Sequence, residues 1–304
     1  MNLFEVAPPG PGPSLALHGG AGGRVEELSL AGRERYEQGL LAAYRAGWQV
    51  LAGGGGALDA VCASVEVLEN DSLFNAGHGA ALTATGQAEL DASVMTGSGL
   101  AGAVAASRYA RNPVRLARAV MEHTEHVLIV DPDAGFVEHY GLAVVEPGYF
   151  VTEERQRQLK RVLDGEAVAA RHGTVGATAR DSGGRVAAAT STGGMTGQAD
   201  GRVGDSPIIG AGVYAHDGIA AISCTGHGEA FIRGIVAYDI AARIRYAGAS
   251  LADAVRGTFE QELTQRGATG GLVAVGGDGH VVVAHNSPMM FSARGTGAEP
   301  VLTT

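Results

Sequence analysis

His172-Gly173-Thr174-Val175-Gly176-Ala177 is the stretch on which the reading of this chain turns. A charged, arginine-rich run over 153–171 precedes it. That run reads as a surface helix over 153–163 and a linker over 164–173. An apolar alternation of Val175, Ala177 and Ala179 follows and reads as a strand. Taken alone, Thr174 is an ordinary first residue of a strand, where threonine is common. The other reading is that Gly173-Thr174 is a cut site. A new chain would then begin with a hydroxyl nucleophile and a free α-amine on one residue. An α-amine has a pKa of about 7.7–8.0, so it can act as the hydroxyl's own general base near neutral pH.

Working outward, strands are predicted at 174–180, 186–191, 208–213 and 218–225. The first two are joined by the hairpin signal Asp181-Ser182-Gly183-Gly184. Helices are predicted at 229–246 and 251–265, then strands at 271–276 and 280–285 around Gly277-Asp278-Gly279. Upstream, 1–13 is rich in Pro and Gly and reads as loose. A short buried strand at 14–18 runs into a glycine loop at 19–23. Helices are expected at 32–51 and 57–68, separated by four glycines, and strands at 87–95 and 100–107. A helix at 113–123 is opened by Pro113, and a short strand is expected at 127–130. This alternation of blocks, without internal repeat, predicts an α+β fold of stacked sheets with helices outside, in one domain over 1–304.

Composition excludes several functions. The net charge is −10, and no basic cluster with interleaved aromatics is present, so nucleic acid is not an expected partner. The single lysine, Lys160, lies in a polar run, which argues against Schiff-base and phosphate-loop chemistry. Cys62 and Cys224 sit in apolar contexts and read as buried, reduced thiols. Residues 1–13 lack a basic and then apolar signal pattern, and no run of apolar residues is long enough to span a membrane. A cytoplasmic setting is expected.

Three blocks can carry chemistry beside Thr174. In Gly201-Arg202-Val203-Gly204-Asp205-Ser206-Pro207, a cation and an anion three residues apart could face one pocket. That suits an α-amino acid, whose carboxylate takes the guanidinium and whose ammonium takes the carboxylate. A surface ion pair in a turn is the alternative. Thr190-Ser191-Thr192-Gly193-Gly194 could orient a nucleophile or simply be a polar strand end. Ser223-Cys224-Thr225-Gly226-His227-Gly228-Glu229 leaves a strand for a helix, so it could form an oxyanion hole or merely cap the helix. Gly97-Ser98-Gly99-Leu100-Ala101-Gly102 matches a dinucleotide pattern, but no proper helix follows it. His123 and His126 have no third metal ligand nearby.

The blocks His18-Gly-Gly-Ala-Gly22, Phe74-Asn-Ala-Gly77, Asp91-Ala-Ser93 with Met95, His172 to Ala177, Thr190 to Gly194, Gly201 to Pro207 and Thr225 to Glu229 occur in one order over roughly 14–290. In that order the chain resembles the plant-type L-asparaginases, or isoaspartyl peptidases, of the N-terminal-nucleophile hydrolases. The resemblance implies a four-layer αββα sandwich cut after Gly173 into an α subunit, 1–173, and a β subunit, 174–304. It implies a dimer of such cleaved αβ units acting on L-asparagine and β-aspartyl dipeptides. Thr174 is then the nucleophile, with Thr192 assisting it and Asn75 bonding its side chain or amine. Thr225 and Gly226 form the oxyanion hole. Arg202 and Asp205 clamp the substrate's α-carboxylate and α-amine, with Thr225 and Gly228 lining the same pocket. No organic cofactor is implied. A structural sodium ion is, held by the backbone carbonyls of Leu68, Glu69, Asp71, Phe74, Ala76 and His78. The chain departs from the family's usual pattern in having His78 for a Lys or Cys, Thr96 for an acid, and a short linker before Thr174. Glycosylasparaginase and threonine aspartase are related readings, weakened by the absence of signal and disulfide cysteines and by Asp205 respectively. A non-catalytic amino-acid-binding protein and a cofactor-dependent oxidoreductase are the readings from other classes.

Overall fold

The computed structural model describes residues 1–6, 12–22, 29–166 and 173–303. Most of the predicted linker, 167–172 with His172, lies outside the described residues. Among the described residues, eight strands form the larger sheet. In spatial order they are β13 (Val301–Thr303), β12 (Met290–Gly295), β2 (Ser14–Ala21), β6 (Val175–Arg180), β7 (Val186–Thr192), β3 (Leu90–Thr96), β4 (Ala101–Ser107) and β5 (Leu128–Val130). Only the β4–β5 pair is parallel. The smaller sheet is antiparallel throughout: β1 (Asn2–Val6), β11 (Val281–His285), β10 (Gly270–Gly276), β9 (Ala220–Gly226) and β8 (Val213–His216).

The sheets stack face to face because their inner strands are apolar on both sides, which burial between two layers requires. On β2, Leu15 and Leu17 point outward against the helices, while Ala16 points inward toward Val273, Val275 and Val283 of the smaller sheet. Each fully buried leucine stabilises the stack by about 1.5–3 kcal/mol. Helices α1 (Leu30–Ala52) and α2 (Ala57–Glu69) cover the outer face of the larger sheet with α3 (Pro113–His123). In α1, Leu40, Ala43, Tyr44, Gly47 and Leu51 recur every three to four residues and form its buried stripe. The Ser29 hydroxyl caps its start by accepting from the Gly32 N–H. A short α4 (Ala134–His139) packs Val137 beside α3. The exposed α5 (Glu153–Leu163) is capped by Thr152 and carries acids in its first turn and bases in its last. On the other side, α6 (Gly228–Gly234), α7 (Val236–Ala247) and α8 (Leu251–Thr258) cover the smaller sheet. The result is helix, sheet, sheet, helix: the expected α+β sandwich.

Several expectations are corrected. Residues 2–6 pair with β11 as an edge strand, so 1–13 is not loose throughout. The strand expected at 208–213 is a turn-rich loop, and β8 begins only at Val213. Ile208 N–H and Gly212 N–H bond back to the Asp205 and Ile208 carbonyls, which closes turns and leaves no ladder. The helix expected at 229–246 is two helices broken at Ile235, whose φ is +46°. A β-branched residue there is strained, at a cost of about 1–3 kcal/mol. The break lets the first N–H groups of α7, from Ala237 and Tyr238, donate to the Ala211 and Gly210 carbonyls, so α7 pins the loop that follows Asp205. The helix expected at 251–265 passes after Thr258 into a π-helical turn, Phe259–Leu263. The Gly97-Ser98-Gly99 pattern is the turn of the β3–β4 hairpin, with Gly99 N–H on the Thr96 carbonyl, and opens no helix.

Candidate active site

Thr174 immediately precedes β6, the strand between β2 and β7 near the middle of the larger sheet. The antiparallel register sets Val175 opposite Ser191, so Thr192 at the end of β7 comes alongside Thr174. The Thr174 hydroxyl donates to Thr192 Oγ1 at 3.2 Å. Thr192 in turn donates to the Gly173 carbonyl at 2.9 Å, while its oxygen accepts from the Gly194 N–H at 3.0 Å. The nucleophile candidate, its helper and the candidate scissile carbonyl therefore share one hydrogen-bonded chain.

Asn75 reaches the same carbonyl from the loop after α2. Its Nδ2 donates to Gly173 O at 2.8 Å and to Gly194 O at 2.7 Å, and its Oδ1 accepts from the Ala81 N–H at 2.6 Å. All three of its polar hydrogen-bonding positions are thus committed. The expectation that Asn75 bonds the Thr174 side chain or amine is refined. With 173 and 174 joined, the Gly173 carbonyl lies where Asn75 donates, and the Thr174 nitrogen is an amide.

His18 was legible only as part of a motif, without a role. Buried on β2, it places Nδ1 2.8 Å from the Thr174 carbonyl and Nε2 3.0 Å from Ser223 Oγ. A carbonyl can only accept, so Nδ1 carries the proton and Nε2 accepts from Ser223. Burial pushes this imidazole down to about 4, so it is neutral at working pH. Ser223 also meets Thr190 Oγ1 at 2.7 Å. The relay ties the nucleophile's own carbonyl in the larger sheet to β9 in the smaller. Gly176 makes the room, since a Cβ there would sit 2.7 Å from His18 Nε2.

Thr174 and Thr192 open onto a cleft of about 320 Å³, the solvent at its mouth included. Gly194, Met195, Arg202, Gly204, Asp205, Ser206, Gly226, His227, Gly228 and Glu229 complete its wall. The two arms of the expected clamp do face one pocket, yet they are not paired with each other. Arg202 bonds Glu229 and Gln198, whereas Asp205 Oδ2 is buried with no hydrogen-bond partner among the described residues. Burial, against the nearby Arg202 charge, pushes the Asp205 carboxyl up to about 7. A carboxylate in that state gains most from an incoming ammonium group. Beneath it, Asp91 accepts from the Ala106 and Gly204 N–H groups and holds the Arg202–Asp205 loop. Gly228 leaves the clamp its room: a Cβ there would lie 2.8 Å from Asp205 Oδ1 and 3.0 Å from Arg202 Nη2, so one of the two side chains would have to move.

Thr225 is fully buried at the end of β9, and its Oγ1 accepts from the Ala21 N–H at 3.2 Å, which leaves its own hydrogen to give. Gly226, at φ +141°, turns the chain from β9 into the cleft wall; a Cβ would lie 2.5 Å from the Gly270 Cα. Gln198, Glu229, Asp91 and His18 were not assigned roles from sequence, because each acts across at least 4 residues of separation and most across far more.

The sequence matches the family model described as "Asparaginase" over residues 11–302. It is 46% identical over 295 residues to the isoaspartyl peptidase of Salmonella typhimurium, covering 92% of this chain and 94% of that protein. It is 44% identical to the isoaspartyl peptidase of Escherichia coli, covering 92% of each chain. It is 38% identical over 285 residues to the isoaspartyl peptidase/L-asparaginase of Bos taurus, covering 91% of each.

Proposed function

The chain belongs to the asparaginase family, and from that premise we propose its reaction: hydrolysis of L-asparagine to L-aspartate and ammonia, and of β-aspartyl dipeptides at the equivalent bond. The observation that carries this reading is the single cleft holding the Thr174 hydroxyl, the Arg202 guanidinium and the unpartnered carboxylate oxygen of Asp205. Both substrates offer a free α-carboxylate and α-ammonium at one end and a side-chain amide at the other. That is the spacing of groups the cleft is equipped to receive.

Activation comes first. In the joined chain, Thr174 Oγ attacks the Gly173 carbonyl carbon. The oxyanion that develops on Gly173 O meets the two donors already on it, Asn75 Nδ2 and Thr192 Oγ1. The C–N bond breaks as the nitrogen takes the proton that Oγ gave up on attack, and water hydrolyses the resulting ester to the Gly173 carboxylate and the free Thr174 hydroxyl. The chain then consists of 1–173 and 174–304. In the second reaction the freed amine of Thr174 accepts the Oγ proton as Oγ attacks the substrate's side-chain amide carbon. Charge on the carbonyl oxygen is met by the Thr225 hydroxyl and the Gly226 N–H; removing one such donor typically costs on the order of 10²–10³ in rate. The amine passes its proton to the departing ammonia or amino acid, and water releases aspartate from the acyl-enzyme.

The loop carrying Asn75 also fits the sodium ion that the family resemblance implies. Gly77, at φ +51°, abuts the Glu69 carbonyl, and Gly79 abuts the Phe74 carbonyl, so side chains are excluded where these oxygens turn inward. The carbonyls of Asp71 and Ala76 each accept one N–H and keep a second lone pair, whereas that of Leu68 accepts from both Asn70 and Asp71. An all-oxygen donor set suits a hard cation. Half-buried Arg155 donates to the Gly79 carbonyl at 2.6 Å and so fastens the same loop to α5. Sodium there would order the loop from which Asn75 reaches Gly173. In the same reading the cleaved molecule is a cytoplasmic dimer of αβ units. Two measurements on one sample bear on this. The melting temperature should be higher in sodium chloride than in choline chloride of equal strength, and light scattering should give twice 30.8 kDa. Equal melting or a monomer mass counts against these assignments.

The reaction itself is tested by incubating the purified protein with L-asparagine, β-aspartyl-leucine and α-aspartyl-leucine. Aspartate should appear from the first two and not from the third, whose scissile bond lies at the α-carboxyl and leaves no free α-carboxylate on the aspartyl residue for Arg202. Release from the α-linked peptide, or from neither of the others, contradicts the assignment.

A further inference from the structure

Arg202 carries five N–H donors in a planar fork. Nε donates to Glu229 Oε1 at 3.0 Å, and Nη2 lies 2.9 Å from the same oxygen in an ion pair, along one edge of the guanidinium. Nη1 donates to Gln198 Oε1 at 3.3 Å on the opposite side. Among the described residues that leaves an N–H on each terminal nitrogen without an acceptor, and together they are the end-on fork that a carboxylate grips with both oxygens. The slot around the group is narrow. A Cβ on Gly204 would sit 3.0 Å from Nη1, and one on Gly228 3.0 Å from Nη2.

The two partners hold it from unlike surroundings. Glu229, in the first turn of α6, lies on the solvent side with its side chain 57% exposed, against 19% for Arg202. Gln198 is buried, and its Oε1 also accepts from the Met195 N–H at 2.9 Å while Nε2 donates to the Arg202 carbonyl at 3.3 Å. Gln198 therefore closes the loop from Met195 to Arg202 upon itself and fixes both ends of the arginine.

We propose that Gln198 and Glu229 are positioning residues which bracket Arg202 and reserve its Nη1/Nη2 end for the substrate's α-carboxylate. The proposal rests on the reading of Arg202 as the carboxylate-binding arm and adds what sets that arm's orientation. Glu229 acts as the acceptor of the Nε–H, so an amide oxygen in its place keeps the bracket. Charge acts weakly at so exposed a position.

Glu229→Ala should raise KM for L-asparagine, and the inhibition constant of L-aspartate, by about tenfold with kcat within about twofold. Glu229→Gln should recover most of that loss, to within about threefold of the parent. Gln198→Ala should raise KM in the same way, since it removes both the acceptor of Nη1 and the donor to the Arg202 carbonyl. Melting temperatures should stay close to the parent's, which separates misplacement of Arg202 from general loosening. Parent-like KM in Glu229→Ala overturns the bracket. So does a Glu229→Gln as impaired as the alanine variant, because charge and not geometry would then be the cause. If Arg202→Leu also leaves KM unchanged, the clamp reading itself has failed.

Discussion

Thr174→Ala leaves the protein as one polypeptide of 30.8 kDa and releases no ammonia from L-asparagine. Both losses come from one oxygen. In the joined chain, Thr174 Oγ1 is the hydroxyl at the head of the chain through Thr192 to the Gly173 carbonyl. Removing it leaves Asn75 and Thr192 polarising a carbonyl that nothing attacks. Without the cut, position 174 has an amide nitrogen, which cannot act as a base. Loss of a catalytic nucleophile alone costs on the order of 10⁴–10⁶ in rate, and here the base is lost with it. Electrophoresis and an ammonia assay on the same preparation check the result. Thr174→Ser should still cleave and still turn over, since it keeps the hydroxyl.

Arg202→Leu and Asp205→Asn should each lower kcat/KM for L-asparagine by about 10²–10³-fold without preventing cleavage at Gly173. Truncating one partner of a buried, hydrogen-bonded charge pair costs about 2–5 kcal/mol, and each change removes one such partner of the bound substrate. Cleavage should survive because the processing donors are Asn75 and Thr192. The pH dependence follows from Asp205. Its carboxyl is pushed up to about 7 by burial, so below that pH it is neutral and cannot pair with the substrate's ammonium. kcat/KM should therefore rise with pH through about 7 in the parent. That rise should vanish in Asp205→Asn, leaving only the titration of the Thr174 amine at higher pH. Steady-state kinetics between pH 5 and 9 decides it: an unchanged profile in Asp205→Asn would remove Asp205 from substrate binding.

What the sequence made legible follows where local rules governed. Helix α5 begins after Thr152 and α3 at Pro113 because capping and proline placement are decided within a few residues. The β6–β7 hairpin follows from Asp181 and two glycines, with Gly184 N–H on the Asp181 carbonyl. Tertiary context decided the rest. The β12 strand went unread because one partner, β2, lies some 270 residues earlier and the other, β13, is a pairing of only three residues. Ile208 and Ile209 have the composition of a strand but serve the turn that presents Asp205. Ile235 gives no local sign of a helix break, since a β-branched residue resists a positive φ; the compensation comes from the distant carbonyls of Gly210 and Ala211.

The site divides in the same manner. Thr174, Thr192, Arg202, Asp205, Gly226 and Gly228 were found as motif residues, and the fold brings them to one cleft. The motif could not show that Arg202 and Asp205 stay apart, each turned toward the ligand. Nor could it show that His18 crosses from one sheet to the other to hold the nucleophile's carbonyl.

The whole account depends on Thr174 becoming a chain terminus. Intact-mass spectrometry of protein that hydrolyses L-asparagine at its full rate should find two polypeptides, one ending at Gly173 and one beginning at Thr174. A preparation with the same activity that contains only the uncut chain of 304 residues would contradict it.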